Sequence, residues 1–241
     1  MQKIDIQCDL HTHTLASGHA YSTINEMAAE AARKGVKYLG ITEHGPAIPG
    51  ACDLIYFRNL HVVPRELYGV RLLLGAEINI LNINGDLDME PSYDKYLSHT
   101  VAGLHSLCYT PGTRAQNTDA LLAVMHSRRI NIISHPGDGT APLHFEPLVK
   151  ASAETGTLLE LNNSSLKPIR HKTEARDNNV EILRLCRKAG VPVIFGSDAH
   201  FMSDIANYEY LWPLVEETQF PRELIVNQDI RLVEEFTGKV F

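Results

Sequence analysis

Apolar residues along the chain fall into two regimes that alternate: short, nearly continuous runs, and longer stretches in which they recur at helical spacing. The first run, Ile4 to His11, predicts a strand whose Ile4, Ile6, Cys8 and Leu10 form the face that packs against helices. A helix follows, with a capping box at Thr23 and Glu26, apolar positions at Ile24, Met27, Ala28, Ala31 and Ala32, and Gly35 past its end. The second strand, Tyr38 to Ile41, ends in Thr42-Glu43-His44-Gly45 and opens into a long Pro- and Gly-containing loop from Pro46 to about Arg58. The third, Val70 to Glu77, is apolar enough to be buried on both faces and continues into Ile80 before a tight turn at Asn84-Gly85.

The same pairing repeats downstream. Strands are expected at Thr100 to His105, Ile130 to His135, Leu158 to Leu161 and Val193 to Phe195. Helices are expected from Asn117 or Thr118, from about Phe145 to Gly156, and from about Asn178 to Gly190, with two further helical pieces interrupted by Pro213 and Pro221. Seven strands at a spacing of about thirty residues, nearly all followed by helices, predict βα units with right-handed crossovers closed into one α/β barrel domain. No low-complexity segment or linker marks a boundary within residues 1–241.

In a βα barrel the chemistry gathers at the C-terminal ends of the strands. Those ends carry His11 and His13, His44, Glu77, His105, His135, and Asp198 with His200, while His19 lies in the loop after the first strand. Only the sixth strand lacks such a residue. Two-residue alternation would set Asp9, His11 and His13 on one strand face, with Asp9 as the carboxylate behind the imidazoles. Nine nitrogen and carboxylate donors exceed what one ion can use and suit two or three, with one carboxylate bridging. Imidazole richness favours zinc, with manganese or iron as alternatives. His61, His99, His126, His144 and His171 fall elsewhere and are expected on the surface or satisfied in the core.

Charge and composition narrow the partners. The formal charge is −7 and there is no basic stripe, which argues against a nucleic-acid binder. The first residues have no apolar signal core and no run reaches membrane-spanning length, so a cytoplasmic protein is expected. Cys8, Cys52, Cys108 and Cys186 are widely spaced and are expected to be reduced.

The segments Asp9-Leu10-His11-Thr12-His13-Thr14, Thr42-Glu43-His44-Gly45, Ser134-His135-Pro136-Gly137, Leu159-Glu160-Leu161-Asn162-Asn163-Ser164 and Gly196-Ser197-Asp198-Ala199-His200, together with Glu77 and His105, resemble the polymerase and histidinol phosphatase (PHP) superfamily. The resemblance covers nearly the whole chain and is greatest to its YcdX-type branch of small bacterial phosphatases. It implies a distorted (β/α)7 barrel holding three metals, usually zinc. By motif position His11, His13, Glu77 and Asp198 would hold the first, Glu77, His105 and His135 the second, and His19, His44 and His200 the third. Glu77, Asp198 and His200 would be most directly tied to catalysis. Where the family commonly has Asp, Glu43 would stand behind His44. The implied reaction is hydrolysis of phosphate monoesters by a hydroxide made on the metals, drawn on by an excess of positive charge. Asn162, Asn163 and Ser164, at the one strand end without a ligand, could donate hydrogen bonds to the ester or serve only the turn. A nuclease or phosphodiesterase of the same superfamily, and a metal-dependent module that holds a phosphorylated ligand without turnover, are the alternatives. An amide hydrolase on a similar barrel would carry a bridging Lys at a strand end, and none is present.

Overall fold

A computed structural model describes residues 5–241, so Ile4 of the expected first strand lies outside the described residues. The strands are β1 (Cys8–Asp9), β2 (Tyr38–His44), β3 (Glu66–Leu67), β4 (Val70–Asn79), β5 (Thr100–Gly103), β6 (Ile132–Ile133), β7 (Leu158–Asn162) and β8 (Val193–Gly196). All but β3 run parallel in the order β1-β2-β4-β5-β6-β7-β8, and β3 folds back antiparallel on the start of β4. Helices α1 (Ile24–Lys34), α2 (Leu54–Arg58), α3 (Arg114–His126), α4 (Phe145–Thr155), α5 (Ala175–Ala189), α6 (Trp212–Thr218) and α7 (Ile230–Thr237) complete the chain. The connection from β4 to β5 carries a six-residue 3-10 turn, Pro91–Tyr96, where a regular barrel would have a helix. The result is a nearly closed, distorted parallel barrel ringed by helices.

Alternation along the strands builds two cores. Leu72, Leu74, Ala76 and Ile78 of β4, with Leu159, Leu161, Val193 and Phe195, face the helices. Leu73, Val101, Ile132, Leu158 and Ile194 point inward and fill the barrel, with Ile230 and Val233 of α7 closing its floor. Two and four residues further along β4 the inward positions become Gly75 and then Glu77, so the same two-residue period that builds the apolar floor delivers polar groups to the mouth. Register keeps those ends level, since His44 lies opposite Glu77 and Asn79 opposite Gly103.

Closure between β1 and β8 is achieved differently at the two ends. At the mouth Thr12 pairs with Ala199, His13 N–H donates to the Ala199 carbonyl (2.9 Å), and Asp198 N–H donates to the His11 carbonyl (3.0 Å). At the floor the strands are bridged by a side chain. The Asn227 amide accepts from Phe195 N–H at 2.7 Å and donates to the carbonyls of Phe195 (2.8 Å) and Cys8 (3.1 Å).

Several expectations are corrected. β1 is far shorter than Ile4 to His11, and Cys8 and Leu10 face the barrel interior, not the helices. The chain leaves the strand at Leu10, whose carbonyl is taken by the His99 imidazole (2.8 Å) in place of a sheet partner. α3 begins at Arg114, capped by Thr113 with Gln116 as the reciprocal partner; a polar first turn hid it from apolar periodicity. α5 begins at Ala175 for the same reason. No helix of the described residues is long and apolar enough to cross a membrane. The four cysteines are free, Cys8 and Cys186 fully buried.

Candidate metal centre

The nine expected donors meet at the mouth. Glu77, at the end of the longest strand and wholly buried, stands at their centre. Its Oε2 faces the Nδ1 of His44 (2.9 Å) and the Nε2 of His11 (3.3 Å) and His13 (3.5 Å). Its Oε1 faces the Nε2 of His135 (3.0 Å) and His105 (3.2 Å). One oxygen therefore serves each side of the cluster. Asp198 Oδ1 lies 3.3 Å from His13 Nε2, 3.9 Å from His11 Nε2 and 3.3 Å from His200 Nδ1. His19, from the loop after β1, stacks its ring 5.0 Å from His44 and 4.9 Å from His200.

Three sets of ligand atoms lie within 4.8 Å of one another: His11, His13 and Asp198; His44, Glu77 and His105; and His13, His44 and His200. The donors also fit cations rather than one another. His44 Nδ1, Glu77 Oε2 and both nitrogens of His105 are buried and, close as some of them lie, make no well-aligned hydrogen bond, a costly arrangement unless something positive satisfies them. Borderline imidazole and carboxylate donors in overlapping sets suit three divalent ions, and the mixture matches zinc.

Charge distribution agrees. Burial works to raise the Glu77 carboxyl, but the imidazoles of His11, His105 and His44 outweigh it and hold the group well below the usual carboxylate range. Asp198 is likewise held well below that range by His200 and His13 against the effect of burial. In return, Glu77 raises His105 to about 10 although burial opposes it, and His11 is raised by Glu160 and Glu77. His13, crowded by burial, His44 and His200, is pushed well below its ordinary value. Without metal the cluster thus holds protons where cations would sit.

Two ligands have left-handed backbone, His135 at φ 34° and Asp198 at φ 52°, a region that costs a non-glycine residue energy unless its surroundings hold it. For Asp198 the hold is the hydrogen bond to the His11 carbonyl; for His135 it is Glu160.

Glu160 is the functional residue that sequence reasoning missed. It occupies an inward position of β7, the strand that supplies no ligand. Its Oε1 accepts from His11 Nδ1 (2.6 Å), and its Oε2 accepts from the His135 backbone N–H (2.8 Å) and Asn162 Nδ2 (3.0 Å). Gly196 on β8 leaves room for it: a Cβ there would sit 1.7 Å from Oε1. Asn162 also reaches Asp198 Oδ2 at 3.4 Å. The signal available in sequence was the carboxylate two residues before Asn162 on an otherwise apolar strand.

The expected supporting carboxylates are reassigned. Asp9 turns away from the imidazoles and accepts from the backbone N–H groups of Ser197 (3.3 Å) and Ala206 (2.8 Å), because β1 breaks its alternation immediately after it. Glu43 stands behind the His13 ring and, through the Ser17 hydroxyl that accepts from His44 N–H (3.1 Å), behind the backbone of His44 rather than its ring. It accepts from the Ser17 hydroxyl (2.6 Å), which in turn contacts His13 Nδ1 (3.0 Å), and it also holds the Thr14 backbone N–H (3.0 Å). Its longer side chain reaches across to the loop after β1.

Above the cluster opens a cavity of ≈ 150 Å³. Leu104, Leu107 and Ile48 supply its apolar wall, Ser106, Ser164 and Ser165 its hydroxyls, and Arg170 and Lys172 its cations. The other basic residues of these loops are engaged elsewhere: Arg114 with the Leu143 carbonyl, Lys167 with Asp204 and Arg176 with Glu217. Asn163, one of the residues that could have met an ester, instead accepts from Tyr210 N–H. His99 is buried under the site, whereas His61, His126, His144 and His171 are exposed, none within the cluster.

The PHP domain family matches residues 9–229. A probable phosphatase of Caldicellulosiruptor saccharolyticus is 43% identical over 231 residues, covering 96% of this chain and 95% of the relative. One from Clostridium novyi is 44% identical over 221 residues, covering 92% and 90%. Among solved structures, histidinol phosphate phosphatase from Lactococcus lactis, complexed with zinc, L-histidinol and phosphate, superposes with a TM-score of 0.63 at 17% identity, covering 90% of this chain and 95% of that one, a likeness of fold.

Proposed function

Because the chain belongs to the PHP domain family, we propose that its barrel acts as one catalytic domain, holding three divalent ions at the mouth and hydrolysing phosphate monoesters. The observation that carries the reading is Glu77, one buried carboxylate whose two oxygens face imidazoles on opposite sides of the cluster. By motif position His11, His13, Glu77 and Asp198 would hold the first ion, Glu77, His105 and His135 the second, and His19, His44 and His200 the third, with His44 near enough to Glu77 to belong to either of the last two. Zinc is the expected metal, with manganese or iron as alternatives. The names of the curated relatives support a phosphatase, and the motifs favour the YcdX-type branch of the family. A small soluble phosphate ester suits the acidic chain better than a nucleic acid does, and four free cysteines suit the cytoplasm.

When bound, such ions polarise phosphoryl oxygens and make water nucleophilic near neutral pH. The chain's own residues do the rest. Glu160 fixes the ring of His11 and the backbone of His135, and Glu43 acts on His13 through Ser17, so the ligands face inward before any substrate arrives. Ser164 and Ser165 line the mouth, the Ser164 hydroxyl accepting from Arg170 (3.0 Å) and the Ser165 hydroxyl donating to Asn162 Oδ1 (3.0 Å).

Glu77→Gln removes the shared charge, whereas His19→Ala touches one ligand set only. The substitution at Glu77 is expected to abolish hydrolysis of a generic aryl phosphate and to lower metal content by more than one equivalent, with His19→Ala losing about one and keeping some turnover. Elemental analysis, turnover and circular dichroism on each protein check this. Full turnover in Glu77→Gln, or an inert metal-replete wild type, overturns the reading.

A further inference from the structure

The charges around the mouth are unevenly answered. Its acidic lining residues are Glu77 and Asp198, which face the imidazoles, and Asp138. Asp138 is buried and already paired: Lys172 reaches its Oδ2 and lies 3.3 Å from the Thr140 hydroxyl, which itself donates to Asp138. No carboxylate is left for an incoming cation. Arg170 is the opposite case. Its guanidinium lines the same cavity as His19, His44 and His200, and its one hydrogen bond is to the Ser164 hydroxyl at 3.0 Å, with no acidic partner among the described residues.

Arg170 is also held in place. It ends the 3-10 turn Pro168–Arg170, entered through a proline, and Arg170 N–H donates to the Lys167 carbonyl at 2.9 Å. Ser164, its anchor, is 2% exposed in the neighbouring turn Ser164–Leu166. The backbone is thus held and the guanidinium anchored at one point, while the exposed side chain keeps its remaining donors free for a carboxylate or phosphate at the mouth.

We propose that the substrate is a phosphate monoester whose leaving group carries a second anionic group, taken by Arg170, and that esters with an amine-bearing leaving group are disfavoured. This rests on the phosphatase reading above. Lys172, neutralised by Asp138, sets the opposite wall and leaves Arg170 as the discriminating charge. The ion cluster grips the phosphoryl group, and Arg170, on the cavity wall beside Ser164, answers the anionic group of the leaving group.

The test uses metal-replete protein and probes of matched length. Calorimetry measures binding of 3-phosphonopropanoate, 1,3-propanediphosphonate, propylphosphonate and 3-aminopropylphosphonate, the first two separating a carboxylate from a second phosphate as the far group. Turnover is compared on phosphoglycolate, ethyl phosphate and phosphoethanolamine. Wild type should bind at least one doubly anionic probe about tenfold or more tighter than propylphosphonate, with the amine weakest, as a charge-assisted contact predicts. Phosphoglycolate should lead in kcat/KM. Arg170→Gln should collapse both preferences to within about threefold, and Arg170→Lys should restore part of them. Equal or tighter binding of the amine or propyl probe, or an unchanged preference in Arg170→Gln, overturns the proposal. Hydrolysis of all three esters without preference sinks it while the phosphatase reading survives. Discrimination among the phosphonates with no ester hydrolysed leaves the anion site standing and removes the phosphatase reading.

Discussion

Glu160 shows how much a single side chain can organise without touching a metal. Its two oxygens accept three hydrogen bonds, from the His11 ring, the His135 backbone and Asn162, and so tie the segments just past β1 and β6 to the end of β7. Glu160→Gln keeps the shape but supplies one acceptor oxygen and one donor nitrogen. Whichever way the amide turns, its NH₂ meets a group that also donates, so either His11 or His135 loses its support. The variant is expected to bind metal about tenfold or more weakly, measured by competition with a chelator, with circular dichroism unchanged. Metal affinity equal to wild type would show that the rings are positioned by packing alone. His135 is the more exposed to this change, since its left-handed backbone depends on the same carboxylate.

At the scale of elements, what could be seen in the sequence was what burial writes into it. β4 and α1 stand out because an unbroken apolar run and a capping box each leave a local pattern, and the ligands at strand ends follow from the barrel. The hidden parts depend on partners remote in the chain. Nothing near Asp9 announces that its carboxylate serves Ser197 and Ala206, and nothing near Glu43 points to Ser17. β1 is the extreme instance: it breaks at Leu10 because His99, on the approach to β5, takes the Leu10 carbonyl. His99 lies wholly buried, and burial above all lowers it from 6.5 to about 4. Between those values the unfolded chain binds a proton there that the folded chain does not. Stability from this group is therefore complete above about pH 6.5 and is lost as pH falls toward 4, by roughly 3 kcal/mol in all. Urea unfolding of chelator-treated His99→Asn should show a shallower decline than wild type across that window. Parallel curves for the two proteins would place the acid sensitivity elsewhere.

For the molecule as a whole, the mouth of the barrel trades protons for cations. Glu77 keeps His105 raised to about 10, Glu160 and Glu77 keep His11 raised, and Asp198 keeps His200 raised in the metal-free chain, and an imidazole must give up its proton to ligate. Loading with zinc at pH 8 should release protons, seen as a dependence of calorimetric heat on the ionisation enthalpy of the buffer, and affinity should rise with pH. Heats that are the same in every buffer would mean the imidazoles are already neutral. The barrel that holds these groups is fastened at its floor by Asn227, which joins Phe195 to Cys8, a residue 219 positions before the asparagine in the chain. That fastening sets an order of events during synthesis. Every βα unit must exist before Asn227 can reach both strands, and contacts so remote in sequence are the slowest to form. His11 and His13 are made 187 residues before Asp198 and His200, the groups they face in the fold. A growing chain therefore carries an incomplete centre until Asp198 and His200 have been made.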